Sequence, residues 1–147
     1  MTCICYRKGY KYQLHDDYGI NINIFPETSI ITRFIDLTSD GNLIIKAGYA
    51  WDGPSGPTID TKNFMRGSLV HDALYQLMRE QKISQHHKDF ADRLLKTMCR
   101  DDGMSWLRAQ MVYQGVKHFG KPATDPANKK RDHAAPKGCI CEHDEDV

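Results

Sequence analysis

The chain has 147 residues, which is the size of a single domain and enough to bury an apolar core without a disulfide or a metal. Its 20 Lys and Arg residues against 19 Asp and Glu residues leave a net charge of +1, so the chain as a whole carries no charge that draws it to nucleic acid or to an anionic membrane. It lacks the ~18 consecutive apolar residues of a membrane span, and residues 1–10 lack the apolar centre of a secretory signal. These properties predict a soluble cytosolic protein.

The N-terminal third alternates apolar and polar residues with a period of two, which predicts half-buried β-strands. This pattern covers residues 10–14 and 20–24, and turn residues between them predict that the two strands pair as a hairpin. β-branched residues are frequent in residues 30–37 and 42–46, which flank an Asp-Gly dipeptide at residues 40–41 suited to a hairpin turn with positive φ. We therefore expect a small antiparallel sheet.

After the loop rich in Gly and Pro that follows this sheet, the apolar spacing changes to three and four residues, which predicts helices. The first helix begins after an N-cap at Asp60 or Thr61 and ends near Gln81. Its spacing places His71 at the edge of the buried face, whose apolar stripe comprises Val70, Leu74, Leu77 and Met78.

Two further helices complete the predicted fold. The second is capped by Ser84 and ends near Asp102 and Gly103, and its short link to the first helix predicts that the two are antiparallel. The third helix covers residues 105–119 and is expected to bury Trp106, Ala109, Val112, Tyr113 and Val116. The predicted fold class is α+β, a small N-terminal antiparallel sheet followed by three helices.

Residues 121–147 show no apolar periodicity, so we expect a mobile charged tail after a single α+β domain of residues 1–120. The five cysteines are an odd number without a convincing disulfide pattern, which predicts reduced thiols. A four-thiolate metal site that joins the termini is the alternative, although its Cys-x-Cys spacings are tighter than those usual for zinc. Its ligands would be Cys3, Cys5, Cys139 and Cys141, together with His143.

The central stretch from Tyr49 to Asp92 concentrates the residues that can carry chemistry. His71 and Asp72 are adjacent on the first helix and lie about 100° apart around its axis, so they address two points of one cleft. Asp72 is a candidate ligand for a hard cation such as Ca²⁺, and Asp52 in the preceding loop supplies a second carboxylate. His71 is a candidate general base that takes a proton from water while the cation polarises the attacked carbonyl.

A catalytic histidine also needs an acceptor that orients its other ring nitrogen. Asp92 follows His71 by 21 residues, and antiparallel packing of the first two helices brings it alongside. Asp89, one turn earlier on a similar face, is the rival for this role. Tyr75, one turn beyond His71, can donate its hydroxyl to the same carboxylate.

The order of these residues resembles the secreted phospholipases A2, especially the small bacterial and fungal ones. The likeness covers the central stretch: an oxygen-rich loop, His-Asp, a tyrosine four residues after the histidine, and an aspartate in the antiparallel helix. The resemblance implies that His71, Asp92 and Tyr75 are catalytic. It also implies that Asp72 and Asp52 hold Ca²⁺ and that the substrate is a lipid or another ester. The chain departs from that family in its shorter loop and in lacking the half-cystines that brace the active-site helix there.

A closer likeness is to an uncharacterised family of short phage and prophage proteins, which is a domain of unknown function. It covers residues 30–119 and rests on three segments, which are Tyr49-x-Trp-Asp-Gly-x-Ser-Gly-Pro57, Arg66-Gly-Ser-Leu-Val-His-Asp-Ala-Leu-Tyr-Gln76 and Ala91-Asp-Arg93. This likeness implies a phage origin and a location in the host cytoplasm or in the virion.

Two functional interpretations follow. The chain is either a calcium-dependent, phospholipase A2-like ester hydrolase or a non-catalytic phage protein on the same scaffold. In the second case it would serve as a virion or assembly component, or bind a host protein. No nucleic acid partner is expected.

Overall fold

The computed structural model of the chain describes residues 4–6, 12–53, 62–128 and 133–135. Within these ranges an N-terminal group of strands precedes the helices and one short strand follows them, which confirms the predicted α+β class. The strands are β1 (Ile4–Tyr6), β2 (Tyr12–Gln13), β3 (Tyr18–Asn21), β4 (Ile30–Ile31), β5 (Ile35–Leu37), β6 (Asn42–Ile45), β7 (Ala50–Trp51) and β8 (His133–Ala135). The helices are α1 (Lys62–Arg79), α2 (Lys88–Asp101), α3 (Trp106–Phe119) and the short α4 (Lys121–Thr124). Among the described residues, no helix combines the length and apolar character needed to cross a membrane.

The main sheet is antiparallel and has the strand order β3-β6-β5-β4. Alternate side chains of β5 and β6 are buried and share one apolar core with Val70 and Leu74 of α1. The turn between β5 and β6 contains Gly41 with φ of +83°, as its Asp-Gly dipeptide predicts. A Cβ at Gly41 would lie 2.3 Å from the carbonyl oxygen of Ile22, so only glycine fits this turn.

The predicted hairpin between residues 10–14 and 20–24 is wrong, because the two segments pair with other strands. β2 pairs with β7, which sets Tyr12 opposite Trp51, and β3 pairs with β6, which sets Ile20 opposite Leu43. The rings of Tyr12 and Trp51 lie 5.7 Å apart. A period of two fits any antiparallel partner, so aromatic and aliphatic packing decides the pairing.

The strand predicted over residues 30–37 is broken in two by a turn at Thr32. The hydroxyl of Thr32 donates to the carbonyl of Ile35 at 2.6 Å and accepts from the amide of Ile35 at 3.0 Å. These bonds satisfy backbone groups that a continuous strand would pair with a neighbour. As a result β4 folds back on β5 as a hairpin.

α1 and α2 pack side by side and antiparallel, as predicted. Gly67 of α1 lies against Leu95, whereas the later residue His71 contacts the earlier Asp92. Between the helices Gln81 adopts a φ of 59°, and the Ser84 hydroxyl accepts a hydrogen bond from the amide of His86. Ser84 thus caps a short 3-10 turn that leads directly into α2.

α3 begins after Ser105, whose hydroxyl accepts from the amide of Arg108. Ala109 and Tyr113 are buried as predicted, but the prediction that Trp106 is buried is wrong, since 60% of it is exposed. Met104 in the preceding turn is 1% exposed and fills the core next to Ala109. The apolar spacing of α3 alone does not reveal that a linker residue already occupies this space.

Residues 121–128 fold against α1, in contrast to the expected tail from residue 121. Thr124 is buried, and its carbonyl accepts from the side-chain amide of Gln85 at 3.0 Å. The guanidinium of Arg79 donates to the carbonyl of Ala123 at 2.7 Å. Polar side chains that satisfy backbone carbonyls hold this segment, and such contacts leave no apolar period in the sequence.

β1 and β8 pair antiparallel with Cys5 opposite Ala134, so the two terminal segments lie side by side. Cys3, Cys139 and Cys141 are outside the described residues, as is His143, and the alternative metal site stays a prediction. Cys99 is a free, buried thiol whose pKa burial raises to about 11. A thiol with that pKa is inert at neutral pH.

Candidate active site

His71 lies where α1 packs on α2. The close approach of the two helices depends on Gly67, where a Cβ would meet Leu95 at 3.0 Å and the sulfur of Cys99 at 3.2 Å. One turn further along α1, His71 Nε2 lies 2.8 Å from Asp92 Oδ1. His71 is 6% exposed and Asp92 is fully buried. The antiparallel packing therefore brings together two residues that are 21 positions apart.

Asp92 accepts hydrogen bonds from three side chains. The Tyr75 hydroxyl donates to the same oxygen as His71, at 2.5 Å, and the Lys88 ammonium donates to Oδ2 at 2.8 Å. Burial alone would raise the pKa of Asp92, but the bonds from His71, Lys88 and Tyr75 outweigh it and lower that pKa. Asp92 is therefore ionised at neutral pH and accepts the proton on His71 Nε2.

Lys88 is the residue that the sequence reasoning missed. It lies one turn before Asp92 on α2, and its ammonium also contacts the carbonyl oxygens of Val116 at 3.0 Å and Lys117 at 3.3 Å. The i, i+4 spacing of a lysine and an aspartate was the available signal. Lys88 connects the Asp92 carboxylate to the C-terminal end of α3.

The second ring nitrogen of His71 faces Asp72. Nδ1 lies 3.8 Å from Asp72 Oδ1, which is an electrostatic contact longer than a hydrogen bond. Within the described part of the chain Nδ1 makes no hydrogen bond, and about a third of the Asp72 side chain is exposed. His71 thus has one nitrogen fixed by a buried carboxylate and the other turned towards a carboxylate at the surface.

The two carboxylates change the acidity of His71. Burial acts to lower the pKa of His71, but the nearby Asp72 and Asp92 outweigh it and raise that pKa above its usual value. Partial burial raises the pKa of Asp72, and the negative charge of Asp52 raises it further, against the lowering effect of His71. The negative charges of Asp52 and Asp72 therefore repel each other, and a cation bound between them would relieve this repulsion.

The exposed Asp52 is positioned by the strand residue that precedes it. Trp51 is buried, donates from its indole nitrogen to the Ser68 hydroxyl at 3.2 Å, and stacks on Tyr49. Ser68 donates in turn to the carbonyl of Met65. These contacts attach β7 to α1 next to His71 and Asp72.

Asp89, the rival of Asp92 in the sequence, is directed away from His71. Its carboxylate accepts from Arg93 at 2.7 Å and from the Tyr113 hydroxyl at 2.8 Å, and more than half of its side chain is exposed. The hydrogen bond from Arg93, followed by that from Tyr113, lowers the pKa of Asp89. The structure thus places Asp92, and not Asp89, beside His71.

The side chains here are of the chemical type that binds a hard cation, but the described residues supply only some of the ligands that such an ion needs. Asp72 and Asp52 offer carboxylate oxygens, which Ca²⁺ prefers, and their mutual repulsion is the observation that favours its binding. The described residues contain no group of three or more His, Cys, Asp or Glu side chains that would hold a metal ion. The Gly- and Pro-rich loop of residues 54–57, from which the sequence predicts further oxygen ligands, lies outside the described residues.

Comparisons of the chain with protein families, with curated proteins and with solved structures give no match. The basis for a function is therefore the geometry of the site.

Proposed function

We propose that this chain is a calcium-dependent carboxylic ester hydrolase, similar in its mechanism to the phospholipases A2 that its central stretch resembles. The observation that carries the proposal is the asymmetric setting of His71. Its Nε2 lies 2.8 Å from the buried Asp92, whereas its Nδ1 faces the partly exposed Asp72. Such a histidine is a general base with a fixed tautomer.

In this proposal Asp92 holds the proton on Nε2, so the lone pair of His71 is on Nδ1. Nδ1 takes a proton from a water molecule while the water oxygen bonds to the carbonyl carbon of the ester. The tetrahedral intermediate then expels the alcohol, and His71 returns the proton from Nδ1 to the leaving oxygen. The net reaction consumes one ester and one water and yields a carboxylic acid and an alcohol.

Asp72 and Asp52 would hold the calcium ion. When bound, the ion supplies positive charge that polarises the ester carbonyl and stabilises its oxyanion. Neutralisation of Asp72 would also remove one of the charges that raise the pKa of His71. A larger fraction of His71 would then be neutral and able to act as a base.

Three variants test this proposal. His71→Ala should lower ester turnover at least ~100-fold, the usual contribution of a general base, without preventing calcium binding. Asp72→Asn should abolish calcium binding and turnover together. His86→Ala is the matched control, since His86 is exposed on the turn before α2 and should leave both unchanged.

Calcium binding is measured by calorimetry, and turnover by an assay on phospholipid and simple esters with and without a chelator. Absence of calcium binding at millimolar concentration would disprove the role of Asp72 and Asp52. Absence of turnover on every ester would disprove the catalytic role of His71.

A non-catalytic role on the same scaffold is the second candidate. It is favoured by the full hydrogen bonding of the Asp92 carboxylate, which ties α1 to α2 as a buried structural network would. The chain would then serve as a phage virion or assembly component, or bind a host protein. In that case Asp92→Asn would lower the melting temperature. The wild-type chain would show no ester hydrolysis, with or without calcium.

A further inference from the structure

β1 and β8 form a two-stranded sheet of their own, separate from the main sheet. They pair antiparallel, with Ile4 opposite Ala135 and Cys5 opposite Ala134. In an antiparallel pair the start of one strand lies beside the end of the other. The chain before Ile4 and the chain after Ala135 therefore leave this small sheet at the same end.

A sheet of this size needs support from another source. Two strands of three residues each are marginally stable in water by themselves. Their pairing also closes a loop that contains the main sheet and helices α1 to α4, and closing so long a loop costs entropy. An interaction that joins the segment before β1 to the segment after β8 would offset both costs.

Both segments carry cysteines near this end of the sheet. Cys5 lies in β1, Cys3 precedes it by two residues, and Cys139 and Cys141 follow the end of β8 by four and six residues. Cys3, Cys139 and Cys141 are outside the described residues, and their distance along the chain limits their distance in space. At up to ~3.6 Å per residue, Cys139 lies within about 14 Å of Ala135, and the Pro and Gly residues between them favour a turn. The four cysteines are thus close enough along the chain to reach one point.

The spacing within each pair of cysteines is typical of extended chain. Zinc ligands in loops are usually separated by two to four residues, whereas one residue separates the cysteines of each pair here. In a β-strand residues i and i+2 share one face, so a Cys-x-Cys motif in a strand supplies two thiolates on the same side. Cys5 belongs to a strand, and His143 follows Cys141 at the same spacing. Strands therefore account for the departure from the usual zinc spacing.

We propose that the two Cys-x-Cys pairs bind one Zn²⁺ ion, which joins the segment before β1 to the segment after β8. Four thiolates form a closed, tetrahedral zinc site of the structural type, and each thiol loses its proton on binding. Soft thiolate ligands favour Zn²⁺ over the hard Ca²⁺ of the proposed active site. Cys99 takes no part, because it is buried where α1 packs on α2. The site does not depend on the proposed hydrolysis.

Zinc binding to the full, reduced chain tests this proposal. One Zn²⁺ ion should bind per chain, and Co²⁺ in its place should show the absorption of a tetrahedral thiolate complex. Cys5→Ser and Cys139→Ser each remove one ligand from one pair. Each variant should lower the affinity for Zn²⁺ by more than ~100-fold, which exceeds the usual effect of losing an outer-shell partner. Cys99→Ala is the matched control and should bind Zn²⁺ as the wild type does. Competition with a chromophoric chelator measures these affinities.

The same measurements include outcomes that would overturn the proposal. If only one of Cys5→Ser and Cys139→Ser lowers the affinity, a single segment holds the metal and the two segments are not joined. Failure to bind one Zn²⁺ ion per chain would also overturn it. A zinc-dependent dimer seen by analytical ultracentrifugation would do the same, because the ion would then join two chains. Asp72→Asn, which removes a proposed calcium ligand, should leave Zn²⁺ binding unchanged, and loss of Zn²⁺ in this variant would place the ion at the candidate active site instead.

Discussion

At the scale of single residues, the charges around His71 govern both the proposed chemistry and the stability. His71 lies between the ionised Asp92 and the partly exposed Asp72, and both carboxylates favour its protonated form. A raised pKa leaves less neutral imidazole at pH 7, which is unfavourable for a base. In the proposed mechanism, a cation that neutralised Asp72 would remove the part of this cost that Asp72 causes. The pH dependence with and without a divalent cation should then differ.

The first prediction in this setting concerns stability against pH without a divalent cation. The pKa of His71 is raised above 6.5, so its stabilising effect is present below pH 6.5 and is lost as the pH rises through the folded-state value. The pKa of Asp72 is raised above 3.8, so its effect is lost in the same direction but begins at lower pH. The free energy of unfolding should thus fall as the pH rises above about 6.5, by up to ~1.4 kcal/mol per pH unit for the one proton on His71.

His71→Gln should flatten this slope, while His86→Gln, which changes an exposed histidine, should keep it. Denaturant unfolding at several pH values measures the effect. The pKa of Asp92 is lowered, so its contribution is present above pH 3.8 and is lost as the pH falls through the lowered value. A wild-type stability that rises as the pH is raised above 6.5 would contradict the assignment.

At the scale of elements, the spacing between helices depends on where glycine occurs. Gly67 faces α2, whereas a Cβ at Gly115 on the outer side of α3 would meet nothing within 4 Å. The same substitution should therefore have opposite effects at these two positions. Gly67 allows α1 to approach α2 closely. Gly115 makes no such contact, and as a glycine within a helix it only destabilises the fold, because it loses more backbone entropy on folding than alanine would.

The second prediction compares Gly67→Ala with Gly115→Ala. Gly67→Ala should destabilise the chain by about 1–3 kcal/mol, because the new methyl group pushes on Leu95 and Cys99. Gly115→Ala should stabilise it by about 0.5–1 kcal/mol, the difference in helix propensity. Thermal melts followed by circular dichroism measure both. Equal effects of the two variants would show that α1 and α2 do not approach as closely as described.

At the scale of the whole molecule, the chain closes on itself at α4 and at the paired terminal strands. α4 and the turn after it attach to α1 through Arg79 and to the start of α2 through Gln85. This closure emerges only when segments that are distant in sequence are brought together.

The third prediction concerns truncation. Removal of residues 121–147 should lower the melting temperature by about 5 °C or more, because two hydrogen bonds to α4 and the burial of Thr124 are lost, each bond worth ~1 kcal/mol. Removal of residues 129–147 alone keeps these contacts and loses the short pairing of β1 with β8 but not α4, so it should lower the melting temperature less. Differential scanning calorimetry of both fragments measures this. Equal melting temperatures would show that α4 contributes nothing to stability.

Much of the helical part was predictable from sequence because it is local. The apolar period of α1 predicted the burial of Val70 and Leu74, and one short link predicted that α1 and α2 are antiparallel. With that arrangement, Asp92 was expected near His71, and the distance is 2.8 Å. Helical spacing determines which residues share a face within a turn or two. When a short link makes two helices antiparallel, the same spacing also predicts which residues of the second helix lie beside a given residue of the first.

Only the tertiary structure decided which segments pack together where the local sequence pattern is compatible with several partners. β2 and β3 were predicted to pair with each other, yet β7 and β6 are their partners. Trp106 has core spacing, but Met104 already fills that place. Asp89 was the rival of the predicted Asp92 as the partner of His71, and the packing of α3 directs Asp89 to Tyr113 instead. The physical reason is the same in each case: periodicity selects a face, whereas the partner of that face is set by packing between segments far apart in sequence.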